Sequence, residues 1–207
     1  MRHHALNLAL AAALALGAQA EPALAREGGF TVRAGIHNVD PKSDTGTLAN
    51  GTIRTTIDSD AAFDLGLGYF FTENLAVDLS VAVQRYEHTV SANGAAALDI
   101  RHRPVILTGQ WHFGTEGFSP FLAAGWHWTS VGGERPFGPL AGNRVSVGNG
   151  DGFVLGGGFD LHFSESLFLR VDAHYLDWKS NVAVGGASVG RVKVNPWVLG
   201  LSLGLGF

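Results

Sequence analysis

From residue 29 onward, apolar side chains recur at every second position, and that spacing organises the chain. Over 61–71, Phe63, Leu65, Leu67, Tyr69 and Phe71 fall on one face, with Ala62, Asp64, Gly66, Gly68 and Phe70 on the other. A period of two predicts a β-strand. After the short stretch 72–74 the alternation resumes, with Leu75, Val77, Leu79, Val81 and Val83 opposing Asp78, Ser80, Ala82 and Gln84. Two strands and a tight turn make a hairpin, and the unit recurs twice. Val105, Leu107, Trp111 and Phe113 alternate with Thr108, Gln110 and His112 before a turn at 114–119 and a strand over 121–131. Phe153, Leu155, Phe159, Leu161 and Phe163 then oppose Gly156, Gly158, Asp160 and His162. Past a turn at 164–166, Leu167, Leu169, Val171, Ala173 and Tyr175 oppose Arg170, Asp172 and His174.

Longer segments near 40–59, 90–99, 132–150 and 184–190 are rich in Gly, Ser, Asn, Asp and Thr, which predicts mobile loops. A first strand near 29–39 and a last near 191–207 bring the number to eight. The chain therefore reads as all-β, an eight-stranded antiparallel transmembrane β-barrel. An even strand number, with short turns at one end and long loops at the other, is the bacterial outer-membrane arrangement, both termini lying on the periplasmic side.

Composition agrees. Glycine occurs 29 times and charged residues make up only 15%. Beyond residue 20 no apolar run reaches the length of about 18 that a membrane helix needs. A closed barrel is the other structure that pairs every backbone N–H and C=O within lipid. Parity also sorts the charges: Asp64, Asp78, Asp160, Arg170 and Asp172 all lie opposite the bulky apolar face. A charge facing lipid at the midplane costs about 2–4 kcal/mol, so these side chains are expected in the lumen. A soluble sandwich or lipocalin-like barrel would alternate in the same way with its faces exchanged. The small residues of the polar face, the low charge and the export signal weigh against it.

That signal lies at the start. Arg2, His3 and His4 precede an apolar run over 5–16 and a small-residue site at Ala18-Gln19-Ala20, the features of a cleaved secretory peptide over 1–20. A second site at Ala23-Leu24-Ala25 admits a cut after 25. The remainder, 21–207, is one barrel domain of about 180 residues. Loss of Arg2 makes the formal net charge of −4 one unit more negative, and no basic footprint for nucleic acid remains. With no cysteine, disulfides and thiol chemistry are excluded.

At the other end, Trp197, Leu199, Leu201, Leu203, Leu205 and Phe207 occupy one face and Val198, Gly200, Ser202, Gly204 and Gly206 the other. A terminal Phe preceded by alternating apolar residues resembles the signal read by the outer-membrane barrel-assembly machinery, which assigns that role to Leu203, Leu205 and Phe207. Trp126, Trp128 and Trp197 fall near the outer strand ends, and Tyr69, Phe71, Phe113 and Phe163 beside the short turns. This distribution suits two interfacial aromatic girdles.

Three stretches carry a family likeness: Val32-Arg33-Ala34-Gly35, His102-Arg103-Pro104-Val105 leading into Gln110-Trp111-His112-Phe113-Gly114, and Val194-Asn195-Pro196-Trp197 before Phe207. In order and spacing, over essentially the whole mature chain, they resemble the outer-membrane protein W (OmpW) family. Arg103 replaces a more apolar residue usual before the proline, and Gly206 stands where the family often has a basic residue. The resemblance implies a multi-pass barrel of the Gram-negative cell outer membrane, with a partly apolar lumen that takes up small hydrophobic molecules, linked to stress adaptation. Its partners would be outer-membrane lipids and lipopolysaccharide, the assembly machinery and a small hydrophobic solute. Eight strands leave an interior filled by side chains, which excludes a wide diffusion pore.

Two groups of candidate site residues follow. Arg33, Asp64, Asp78, Asp160, Arg170 and Asp172 share the inward parity and form either a polar path or a lumen network of ion pairs. Phe70, Ile106, Leu176 and Trp178 are the apolar inward candidates for a gate or groove, or for a plug. The stretch His162-Phe163-Ser164-Glu165 suggests a serine hydrolase acting on lipid A, which needs base and nucleophile in hydrogen-bond reach. It sits at a short, periplasmic turn, away from outer-leaflet acyl chains, so no catalytic residue is expected. The histidines are scattered over separate strands without a ligand spacing, and neither metal nor other cofactor is expected. Alternatives to a transport or binding role are a structural or adhesive protein acting through its loops, and the lipid A hydrolase.

Overall fold

The computed structural model describes residues 28–42, 45–113 and 117–207. The signal segment read at 1–20, the start of the mature chain through 27, and part of the turn at 114–119 lie outside the described residues. The chain forms β1 (Phe30–Asp40), β2 (Thr47–Leu48), β3 (Ile53–Ile57), β4 (Asp60–Phe70), β5 (Leu75–Ala82), β6 (Tyr86–Ala92) and β7 (Ala95–His112). Then follow β8 (Phe118–Pro136), β9 (Val145–Val147), β10 (Gly150–His162), β11 (Leu167–Leu176), β12 (Lys179–Val184), β13 (Ala187–Lys193) and β14 (Trp197–Gly206).

Eight of these strands close a ring: β1 pairs β4, β4 pairs β5, then β7, β8, β10, β11 and β14, which returns to β1, every pairing antiparallel. Closure leaves no strand edge facing lipid, the condition for a sheet to span a membrane. The last seam is held to the chain end, where Phe30 N donates to Phe207 O (3.1 Å) and Phe207 N to Phe30 O (2.9 Å). Leu203 and Leu205 lie on the outer side, opposite Ala34 and Val32.

Outward residues form a continuous apolar band, with Leu67, Leu122, Leu155, Leu201 and Leu203 all exposed. So large an apolar surface is a membrane interface, not a water-facing one. Trp126, Trp128 and Trp197 edge it at one end and Phe71, Phe113 and Phe163 at the other. Each girdle has internal ring contacts, Tyr175–Trp197 at 5.8 Å and Tyr69–Phe71 at 4.9 Å.

The outer segments depart from the sequence reading. The loop expected near 90–99 is largely strand and that near 132–150 is strand in part: β7 starts at Ala95, β8 runs to Pro136 and β9 covers Val145–Val147, so β7 and β8 extend well beyond the membrane band. In the segment 40–59, β2 pairs β3, which joins β6, and in the segments near 132–150 and 184–190, β13, β12 and β9 form a second sheet. The cause is a second apolar core. Leu48, Leu98, Ile100, Val145, Trp178, Val182, Val192 and Val194 pack together beyond the outer girdle, too thinly spread among Gly, Ser and Asn to show as alternation. Residues 191–193 belong to β13, and the last barrel strand begins at Trp197, not at 191. Gln84, placed inward by parity, is exposed, because the ladder breaks after Ala82.

Candidate functional site

The lumen is filled by stacked layers of side chains. The periplasmic half holds buried ion pairs. Arg33 Nη2 donates to both oxygens of Asp78, the longer contact at 2.6 Å. Arg170 donates through Nε (2.6 Å) and Nη2 (2.7 Å) to Asp160, a bidentate fork, and its Nη1 lies 3.6 Å from Asp78. His37 stands between Asp64 (3.4 Å) and Asp172 (3.3 Å), and His174 lies 3.1 Å from Asp172. Ser80 Oγ donates to both oxygens of Asp64 at 2.9 Å. The six charged residues singled out by parity therefore meet in one network. Two members were missed, His37 and His174. Both lie on the inward parity of strands that carry other members, which was the signal available for them.

Neighbouring glycines make the room. Gly200 lies opposite both His37 and Asp172, and a Cβ there would collide with the His37 ring. Gly66, opposite Arg33, has no space for a Cβ beside that guanidinium. Beneath the network, Arg170 lies 4.5 Å above the Phe121 ring and 5.8 Å from that of Phe168, a cation–π floor. Phe70 belongs to this floor, its ring 4.9 Å from His112, and is separated from the other apolar candidates. Below opens a periplasmic vestibule of about 450 Å³, walled in part by Glu73, Asp160, His162 and Glu165. Ser164 is at its rim, and its Oγ accepts the Leu167 N–H at 3.0 Å, a turn contact.

Above the ions the lining turns apolar. Val39, Ala62, Ala82, Tyr86, Ile106, Val154, Leu176 and Val198 form one buried cluster. Tyr86 links the layers, its hydroxyl donating to the His37 carbonyl at 3.4 Å. Between them lies a space of only about 20 Å³, room for no more than a water molecule. Higher still the rings of His88 and His102 stack at 4.8 Å and 7°, with Tyr86 5.1 Å and Trp178 4.9 Å from His102. Trp178 closes the column, its Nε1 donating to Ser180 Oγ at 3.0 Å. Of the four apolar candidates, Ile106, Leu176 and Trp178 thus belong to the upper, outward half.

His88 gives this column a pH dependence. Burial pushes it below the ordinary imidazole value, outweighing its hydrogen bond to the Asp58 carbonyl and the Asp58 and Asp60 carboxylates. Asp58 Oδ1 is 3.7 Å away, but its side chain is largely exposed, so water screens the attraction. The other facing groups are Tyr86 and His102, with Arg85 acting on His102. Folding favours the neutral ring, so this stabilisation is complete above about pH 6.5, the unperturbed value, and is lost as pH falls through the lower folded value. The protection factors of the β6 amides, which take out the intrinsic slowing of exchange in acid, are expected to fall on acidification below about pH 6.5, and His88→Gln to flatten that response. An equal response in the variant would assign it to another group.

The wall beside the apolar layer is interrupted. The β5–β7 ladder ends at Val81–Val105 and the β6–β7 ladder begins at Tyr86–His102, so on the β7 side the four residues 82–85 face only 103–104, while toward β4 Val83 N still donates to Phe63 O at 2.7 Å. Pro104 has no N–H to offer. Arg103 donates from Nη2 to Val83 O instead, at 3.1 Å. On the neighbouring seam the β4–β5 ladder ends at Asp64–Ala82. Carboxylates take over there, Asp60 accepting Glu87 N (2.7 Å) and Asp58 accepting Thr89 N (2.6 Å). Both ladders flanking this bulge are therefore weakened at one height.

A closed eight-stranded barrel with an apolar outer wall, two aromatic girdles and an ion-paired lumen defines a narrow integral protein of the bacterial outer membrane. The chain belongs to the OmpW family, whose model matches residues 26–207. It is similar to outer membrane protein W of Vibrio cholerae serotype O1, 28% identical over 200 residues, covering 88% of this chain and 90% of the relative. It is also similar to outer membrane protein AlkL of Ectopseudomonas oleovorans, 27% identical over 169 residues, covering 75% and 69%. Among solved structures, OprG from Pseudomonas aeruginosa matches with a TM-score of 0.77 at 25% identity, over 88% of this chain and 97% of that one.

Proposed function

We propose that this barrel admits small hydrophobic molecules from outside into its apolar upper lumen and releases them sideways through the interrupted wall at 82–85. The observation that carries the reading is the vertical order of the lumen, apolar above and ion-paired below. An apolar solute moving on toward the periplasm would have to part buried charges from their partners, each costing several kcal/mol when left alone. Beside it lies a bulge where side chains replace backbone pairing, with Ala62, Ala82, Tyr86 and Ile106 of the apolar layer directly behind. Lateral release is the less costly exit. The family resemblance supports the same solute class.

Entry requires the column of His88, His102 and Trp178 to part, since the lumen is closed by packing. In Gram-negative cells lacking other barrels of this kind, the chain is expected to speed uptake of a small aromatic hydrocarbon tracer and to leave uptake of a sugar of similar size unchanged. Equal acceleration of both would mark a general pore, and acceleration of neither would end the transport reading.

A further inference from the structure

Outside the wall interruption, three arginines converge. We propose that Arg85, Arg101 and Arg103 form a docking site for the phosphate groups of lipopolysaccharide in the outer leaflet. Arg101 and Arg103 lie on the outward parity of β7, and Arg85 is exposed at the bulge beside it. The Arg85 guanidinium reaches across to β8, where the first side-chain carbon at Gly132 would be 3.7 Å from its Nη1. Gly132 is the register partner of Arg101, and the Arg101 stem runs alongside Gly133. Two adjacent glycines thus leave a shallow floor over which the cations gather.

Height and charge identify the occupant. Val105 pairs with Trp128 of the outer girdle, so Arg103 and Arg101 stand two and four residues further out, roughly 7 and 13 Å along the strand at about 3.3 Å per residue. Lipid phosphates lie just beyond the interfacial aromatic ring. Glu87, 2.9 Å from Arg101 Nε, offsets one of the three positive charges. At the girdle level itself exposed Asp40 pairs with Trp197 and exposed Asp151 with Trp128, and the exposed Lys42, Lys179 and Lys193 lie in other outer segments. The three arginines are the cations grouped beside the wall interruption, and that grouping is what favours a polyanionic lipid headgroup there. Arginine suits it, since its fork makes paired hydrogen bonds to phosphate oxygens.

The test uses the full barrel refolded in detergent with lipid A, followed by native mass spectrometry of retained lipid. Wild type is expected to retain phosphorylated lipid A and to release it when the phosphates are removed. Each arginine should contribute about fivefold, and R85Q/R101Q/R103Q should lose on the order of a hundredfold. R144Q, in an outer segment away from the patch, should behave as wild type. Heat-modifiable migration in gels checks folding, and if the triple variant fails that check, R85Q alone, at an exposed side chain, must still lose its share. Equal retention by folded variants, equal retention of dephosphorylated lipid A, or displacement by millimolar inorganic phosphate would each overturn the proposal. The last would mark a site for free phosphate.

Discussion

Asp78→Asn is expected to destabilise the barrel by about 3–5 kcal/mol, the cost of leaving a buried guanidinium without its carboxylate. Asp78 holds Arg33 through both oxygens and also approaches Arg170. Arg170 keeps its fork to Asp160, so the loss falls mainly on Arg33, enclosed beside Gly66 with no other carboxylate bonded to it among the described residues. Converting Asp78 to Asn and Arg33 to Met together removes both charges. That double variant should recover at least about 2 kcal/mol relative to Asp78→Asn, because an uncharged packing of similar volume has no unmatched ion. Urea unfolding of the refolded barrel in lipid vesicles measures both. If the double variant were as unstable as the sum of the two single ones, the network would not be a mutually neutralising unit.

Trp178→Ala should have the largest effect on passage. The indole is almost fully buried, lies against His102, and is seated over Gly150, where a Cβ would collide with it. Truncating a buried Trp removes about 3–5 kcal/mol of packing. If the column must part before a solute enters, the uptake rate carries the open fraction. Uptake of the aromatic tracer is then expected to rise by about tenfold or more, up to the point where opening no longer limits it. Trp178→Phe should fall between, and Trp197→Ala, on the lipid-facing wall, should leave uptake unchanged. Unchanged uptake in Trp178→Ala, despite faster hydrogen exchange in β6 and β7, would separate this column from the route.

The two experiments probe opposite ends of one lumen. Ion pairs at the periplasmic end seal the barrel against axial passage, and aromatic packing seals its outer end. The outer seal is held by stacking, apolar packing and two side-chain hydrogen bonds, Trp178 to Ser180 and His88 to the Asp58 carbonyl, contacts that part without separating full charges. The ionic seal consists of charges that cannot be separated cheaply in a low-dielectric interior.

Local alternation made the barrel strands legible. Phe63 to Phe71 and Trp197 to Phe207 show a period of two that needs no tertiary context, because neighbouring side chains in a strand must point to opposite faces. The same parity put Arg33, Asp64, Asp78, Asp160, Arg170 and Asp172 on the face away from the exposed leucines. Parity is silent about height, though. Phe70 and Trp178 share an inward assignment, yet one belongs to the periplasmic floor and the other to the outer column.

Which inward groups touch was decided by closure and register. His37 meets Asp172 across 135 positions because β1 and β11 both flank β14, with Gly200 facing each of them. The outer sheets were decided in the same way, since Leu48, Ile100, Val145 and Val192 become a core only when four separate segments meet. The sequence by itself determined the eight barrel strands, the two faces of the wall and the membrane that receives it, all properties of neighbours along the chain. The layered lumen, the break opposite Pro104 and the arginines gathered outside it depend on contacts between distant segments, and only the closed barrel brings those segments together.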